Sequence, residues 1–193
     1  MKFGERFGIT SRRPYEQAML GQNYLYRDYN FNPSTLGVGA TPPSMTQLAA
    51  TGIFLSSFGG GATTEQVFGA VELDHDWAEG TLIYPHVHWM PVNANAGNVK
   101  WQMTYTFLVD GAVYVAPATI PVVAAAPGVA WEDNQADFPA IVTAGYLIGT
   151  QFCFRFFRDP TDGDDTYGSD AMVSTISLHV QVNSLGSRQL GVK

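Results

Sequence analysis

The residues best placed to do chemistry are two histidines, His86 and His88, within Gly80-Thr-Leu-Ile-Tyr-Pro-His86-Val-His88-Trp-Met-Pro91. The stretch reads as a β-strand. A side-chain period of two puts His86 and His88 on one face with Tyr84 and Met90, and turns Ile83, Val87 and Trp89 the other way. Two imidazoles converging on one point are how many transition-metal sites begin, provided that a third ligand and an acid complete the set.

Completion is only partial. Gly80, five residues, His86, one residue, His88 resembles the start of the cupin metal motif, and His179 followed by Asn183 resembles the end of the second one. The glutamate that should follow His88 is replaced by Val92 and Asn93, and no Pro-x-Gly precedes His179 at the expected distance. We therefore expect strand histidines and no metal. The acidic stretch Asp159–Asp170 is oxygen-rich like a calcium loop, but counting from Asp162 the bidentate EF-hand glutamate falls on Val173. A turn with aspartates capping backbone N–H groups is the expectation.

Catalytic patterns are no more complete. There is no Gly-x-Ser-x-Gly elbow, and Glu65, Glu72, Asp74, Asp76 and Glu79 stand beside turns without a nucleophile. Gly59–Gly61 lacks the Lys-Ser/Thr of a phosphate loop. The single Cys153, between Phe152 and Phe154, reads as a packing residue. Paired glycosidase-type carboxylates stay open at this point, because two strand-end acids can face each other across a groove. The expectation is a non-enzymatic protein without a cofactor.

The elements that would position these residues are strands. From residue 51 the pattern predicts Gly52–Phe58, Gln66–Leu73, Leu82–Met90, Val99–Val109, Ala112–Ala116, Ile120–Ala124, Ala140–Val142, Gln151–Arg158 and Ala171–Asn183. In Val99–Val109 every odd position is apolar, and in Ala171–Asn183 the even positions Met172, Ile176, Leu178, Val180 and Val182 form the expected inward row. Asp110-Gly111 reads as a hairpin turn between two strands. With no long amphipathic helix and no repeat, the predicted fold is all-β: an antiparallel β-sandwich of jelly-roll type over residues 51–193.

Residues 1–50 read differently, as an extended N-terminal arm. A helical signal of one or two turns follows Arg13-Pro14, and then come Tyr24, Tyr26, Tyr29 and Phe31 and a loop rich in Pro, Gly and Ser. Of the 193 residues only 14% are charged, against 12 Phe, 9 Tyr and 4 Trp, a low charge content for a free monomer. The net charge of −7 divides unevenly: residues 1–30 sum to +2 and residues 31–193 to −9. An acidic body repels nucleic acid. No apolar run approaches the ~20 residues of a membrane span, and the first residues lack a signal-peptide core, so a soluble protein made in a cytoplasm is expected.

Several motifs together resemble a family of small tailed-bacteriophage and prophage virion proteins. They are Leu73-Asp-His-Asp-Trp77-Ala-Glu-Gly80 leading into Pro85-His-Val-His-Trp89, Gly97-Asn-Val-Lys-Trp101-Gln-Met-Thr-Tyr105, Arg155-Phe-Phe-Arg-Asp159 followed by Asp165-Thr-Tyr167, and Leu178-His-Val-Gln-Val-Asn-Ser-Leu-Gly186-Ser. The resemblance covers about residues 65–190 and implies a structural role in the virion, assembled in the host cytoplasm. Within it, a β-sandwich would decorate or cement the capsid, self-associating as a trimer and binding the major capsid protein or other virion proteins. A collar, tail or fibre component is the alternative, and a cupin-like metal-binding or glycan-active protein a second one. Arg12, Arg13, Tyr15, Tyr24, Tyr26, Tyr29 and Phe31 are the candidate partner contacts, because aromatics and arginines concentrated in an arm suit a covered surface.

Overall fold

In the computed structural model, which describes residues 25–185, all regular structure is β apart from one short 3₁₀ turn at Pro33–Thr35. The strands are β1 (Leu25–Phe31), β2 (Gly37–Val38), β3 (Ser44–Gln47), β4 (Phe54–Phe58), β5 (Gln66–Glu72), β6 (Ile83–Pro91), β7 (Asn98–Leu108), β8 (Ala118–Ala125), β9 (Asn134–Asp137), β10 (Gln151–Arg158) and β11 (Ala171–Val182). They form two antiparallel sheets. One runs β3-β4-β11-β6-β9 with β1 also on β11, and the other runs β2-β5-β10-β7-β8. The all-β sandwich expected from the alternating pattern is the fold found, with its jelly-roll-like two-sheet layout.

Strand β11 organises the first sheet. From Ala171 to Val180 it pairs with β6 on one edge, with Ser174 skipped. On the other edge Ala171–Val173 pair with β4, and the segment from Ile176 to Val182 pairs with β1. A register shift between Val173 and Thr175 reverses the phase of the strand. As a result Ala171 and Val173 join Ile176, Leu178 and Val180 in the core, while Met172 pairs with Met90 outside that row. Placing Met172 in the inward row is thus corrected: a period-two reading carried across a bulge inverts.

The core between the sheets is aromatic. Trp101 lies stacked on Phe156 at 5.2 Å between ring centroids, with Phe58 and Trp89 edge-on to it at 5.6 Å and 6.0 Å. These rings come from β4, β6, β7 and β10, so each sheet contributes inward rows. Gly69 is required opposite Phe154: a Cβ there would sit 2.5 Å from the phenyl ring. Gly97, at φ 144°, lets the start of β7 pass the backbone of Thr166 and Tyr167, where a Cβ would lie 2.7 Å from the Thr166 carbonyl.

Residues 25–47 depart from the expected arm. β1 is a sheet strand with a period of its own, turning Arg27, Tyr29 and Phe31 inward and Tyr26, Asp28 and Asn30 outward. β2 pairs with β5, and β3 with β4. An extended arm reaching residue 50 is thereby corrected over this stretch. Of the aromatics in this stretch, Tyr29 and Phe31 pack against the chain's own sandwich, Phe31 meeting Phe154 edge-on at 4.9 Å, while Tyr26 is exposed. Two further expectations differ. Ala112–Ala116 is loop, and Ala140–Val142 is reduced to a single bridge between Ile141 and Ile83. Gly111 does take a positive φ in a turn closed by the Ala112 N–H on Val109 O, but pairing between β7 and β8 begins only at Tyr105 and Ala118.

Candidate functional site

The two histidines of β6 meet a third across the sheet. His86 stands directly opposite Ser177 on β11 and Asp137 on β9, and His179 is its diagonal neighbour. The rings of His86 and His179 are stacked, 4.3 Å apart with a 19° interplanar angle, and His88 stands edge-on to His86 at 5.3 Å. The outer histidines each have an acid: Asp28 of β1 meets His179 Nδ1, and Asp133 Oδ2 lies 3.3 Å from His88 Nδ1. His86 is buried between them and its Nδ1 has no hydrogen-bond partner. Burial, and then the neighbouring His179 and His88, push the His86 pKa below its ordinary value; Asp28 and Asp137 pull the other way and are outweighed.

Convergence of the three histidines was not legible in the sequence, and the structure supplies it. It is not a ligand geometry, however. Stacked rings present π-faces to each other, and among the described residues no group of three or more His, Cys, Asp or Glu side chains is placed to hold a metal ion. What this face does is join three strands, since β1, β11 and β6 meet at Asp28, His179 and His86.

The acidic loop is committed internally. Arg158, fully buried at the end of β10, receives Asp165 in a two-point pair, Nε to Oδ2 at 2.8 Å and Nη2 to Oδ1 at 2.7 Å. Its remaining N–H groups donate to the carbonyls of Phe58 at 3.2 Å, Ser169 at 2.6 Å and Tyr167. Lys100 Nζ holds Asp162 at 2.7 Å and Asp164 at 3.3 Å, and the hydrogen bond from Lys100 keeps the Asp162 carboxyl below its usual range. Asp159 accepts from Gln102 Nε2 at 2.7 Å. Each of these four carboxylates thus has a protein donor within the fold.

A third network secures β1. The Arg27 guanidinium donates to Asp74, Asp76 and the Tyr29 hydroxyl, each at 2.6 Å, and the Asp74 N–H donates to the same hydroxyl at 2.9 Å. Burial raises the Tyr29 pKa, so the phenol stays neutral, and its oxygen accepts from both Arg27 and the Asp74 N–H. A hollow of about 410 Å³ beside this network is lined by His75, Trp77, Glu79, Ile148 and Asn183. The one carboxylate on its wall, Glu79, accepts from the Ile148 N–H at 2.9 Å, so no acid pair of the glycosidase kind faces across it. Cys153 is half-buried and its pKa is raised by burial, the opposite of an activated thiol.

Of the candidate partner contacts, Arg12, Arg13, Tyr15 and Tyr24 lie outside the described residues. Tyr29 and Phe31 face inward, as above. Tyr26 alone of the described ones is exposed, edge-on to Tyr84 at 6.2 Å with its hydroxyl accepting from Gln181 Nε2 at 2.9 Å.

No family model matches the chain, and no curated protein matches it either. Solved structures similar to it include one described as "CBM35 from Cellvibrio japonicus Abf62", at 10% identity and a TM-score of 0.48, covering 79% of this chain and 92% of that one. Another is that of the infectious bursal disease virus Gx strain, at 14% identity and a TM-score of 0.41, covering 82% of this chain and 32% of that one. The Podospora anserina GH26-CBM35 β-(1,4)-mannanase structure follows at 8% identity and a TM-score of 0.35, covering 85% and 29%. None of these likenesses bears on function.

Sequence reasoning missed β1 as a partner of the histidines, although its signal was present. Asp28 and Asn30 alternate with Tyr29 and Phe31 in a period of two. Asn134–Asp137, which brings Asp137 opposite His86, carries no such signal because a short polar edge strand has no apolar row to display.

Proposed function

We propose that the protein is a non-enzymatic structural component of a bacteriophage particle, a capsid decoration or cement protein that binds the major capsid protein and itself. The observation that carries this reading is how the polar groups are used. The charged pairs of the described residues, Arg158 with Asp165, Arg27 with Asp74 and Asp76, and Lys100 with Asp162, tie elements of the sandwich to one another. Large apolar side chains stand exposed instead: Met45, Ile53 and Phe54 around the β3–β4 hairpin, and Val113, Tyr114 and Val115 in the loop before β8. A surface so poor in charge and so rich in exposed apolar groups fits a protein covered by neighbours. The motif resemblance over residues 65–190 supports the same assignment.

Copy number in purified particles tests it. A stained gel showing copies in the hundreds fits a cement protein, whereas about a dozen or fewer places the chain in a collar, tail or fibre. The N-terminal clamp is tested separately by removing residues 1–24, which leaves β1 whole, whereas a cut at residue 35 would also strip β1 from the edge of β11. Loss of particle occupancy in the shorter truncation is the expected result. Full occupancy overturns the clamp.

A further inference from the structure

Among the described residues there are four Lys or Arg side chains, and three have carboxylate partners: Arg27 with Asp74 and Asp76, Lys100 with Asp162 and Asp164, Arg158 with Asp165. Arg155 has none. In a chain with 17 acids against 10 Lys and Arg, an unmatched guanidinium is the exception. Its Nε is buried and without a hydrogen-bond partner, and its guanidinium carbon lies over the Phe157 ring, 3.9 Å from the centroid. A donor withdrawn from water and left unsatisfied costs stability that the fold alone does not return.

The position is central. β10 is the middle strand of the β2-β5-β10-β7-β8 sheet, and Arg155 points to the outer face, opposite the inward Phe154 and Phe156. Across the strand stand Phe68 of β5 and Thr104 of β7, and the next pairs along are Cys153 with Ala70 and Thr106, and Phe157 with Gln66 and Gln102. None of these neighbours is acidic. Asp159, further along β10's exit, is already the acceptor for Gln102. Phe68 is exposed, so the face offers apolar contact beside the cation. A guanidinium seated over a ring can still offer its N–H groups to two-point pairing with a carboxylate.

We propose that this face, centred on Arg155, is a docking surface for a partner protein that presents a carboxylate flanked by apolar side chains. Charge complementarity selects the occupant: the face carries one unpaired positive charge in a neutral, partly aromatic surround. The site does not depend on the virion assignment.

The test uses the full-length protein and an acetylated, amidated pentapeptide of alternating valine and glutamate, with its glutamine twin as control. The Arg155 Nε–H resonance, assigned by its absence in Arg155→Gln, is followed by NMR during titration. A saturable shift with the glutamate peptide is expected, weakened at least about tenfold for the glutamine twin and for Arg155→Gln read at the Phe68 and Thr104 amides. Arg155→Lys, which keeps the charge but loses the fork, should fall between. Backbone amide shifts elsewhere verify that the variants are folded. Equal binding of the glutamine twin, or no saturable shift at millimolar peptide, overturns the proposal. So does concentration-dependent dimerisation of the free protein that Arg155→Gln abolishes, since the occupant is then a second copy.

Discussion

Replacing Asp165 by Asn removes one charge from a pair in which Arg158 is fully buried and the Asp165 side chain is 2% exposed. The amide keeps the shape but not the charge. It leaves the guanidinium uncompensated and returns at most one acceptor for the two charge-assisted bonds at 2.8 and 2.7 Å, while the Lys100 N–H at 2.9 Å competes for the same oxygen. Breaking a buried pair in this way costs about 3–5 kcal/mol, a large share of the ~5–15 kcal/mol that holds a domain folded. With a urea slope of about 2 kcal/mol per molar, the unfolding midpoint should fall by roughly 1.5–2.5 M. Fluorescence of the buried Trp89 and Trp101 reports the transition. A loss below about 1 kcal/mol is the value of an exposed pair and refutes the reasoning. A second variant sharpens it. Converting both partners to Met and Leu often costs nothing in buried pairs, but here it should not restore stability, because Arg158 also serves the carbonyls of Phe58, Ser169 and Tyr167.

The histidine cluster should make stability depend on pH. The His86 pKa is lowered in the folded protein from an ordinary 6.5, so the unfolded chain takes up the proton first. Stability is then lost as pH falls below about 6.5 and levels off beneath the folded-state value. The difference between wild-type and His86→Gln urea midpoints across this window isolates the effect, and identical slopes dismiss it. Arg27→Gln should loosen β1 alone: hydrogen exchange at Leu25–Phe31 should rise about tenfold while β10 stays protected. Uniform acceleration in both strands is the contrary result.

How much of this was readable depended on whether a segment shows an apolar row. Val99–Val109 alternates cleanly and lies in the structure as β7, one residue earlier at each end, and Gln151–Arg158, strongly aromatic, lies there as β10 without a residue's difference. Val113, Tyr114 and Val115 carry strand-forming side chains yet are exposed in a loop, because the β7–β8 ladder leaves them no partner strand. The site was less readable than the fold. That His86 and His88 share a face follows from spacing, but the diagonal placement of His179 depends on the register of β11 against β6, a long-range fact fixed by a bulge that no local pattern displays. Asp165 likewise looked like a loop acid. Only the closure of the loop onto β10 turns it into the counterion of Arg158.

The placement of β1 on the free edge of β11 has a mechanical consequence. Leu25 pairs with Val182 and Phe31 with Ile176, so a tension entering the body at residue 25 along the strand axis loads all seven rungs of the ladder in shear. Pulled in that direction the strand resists as a unit. Pulled sideways, the same rungs open one at a time, beginning at Leu25. The side-chain ties at Arg27, Asp28 and Asn30 lie just behind that first rung, where they arrest peeling before it reaches Phe31 and the core.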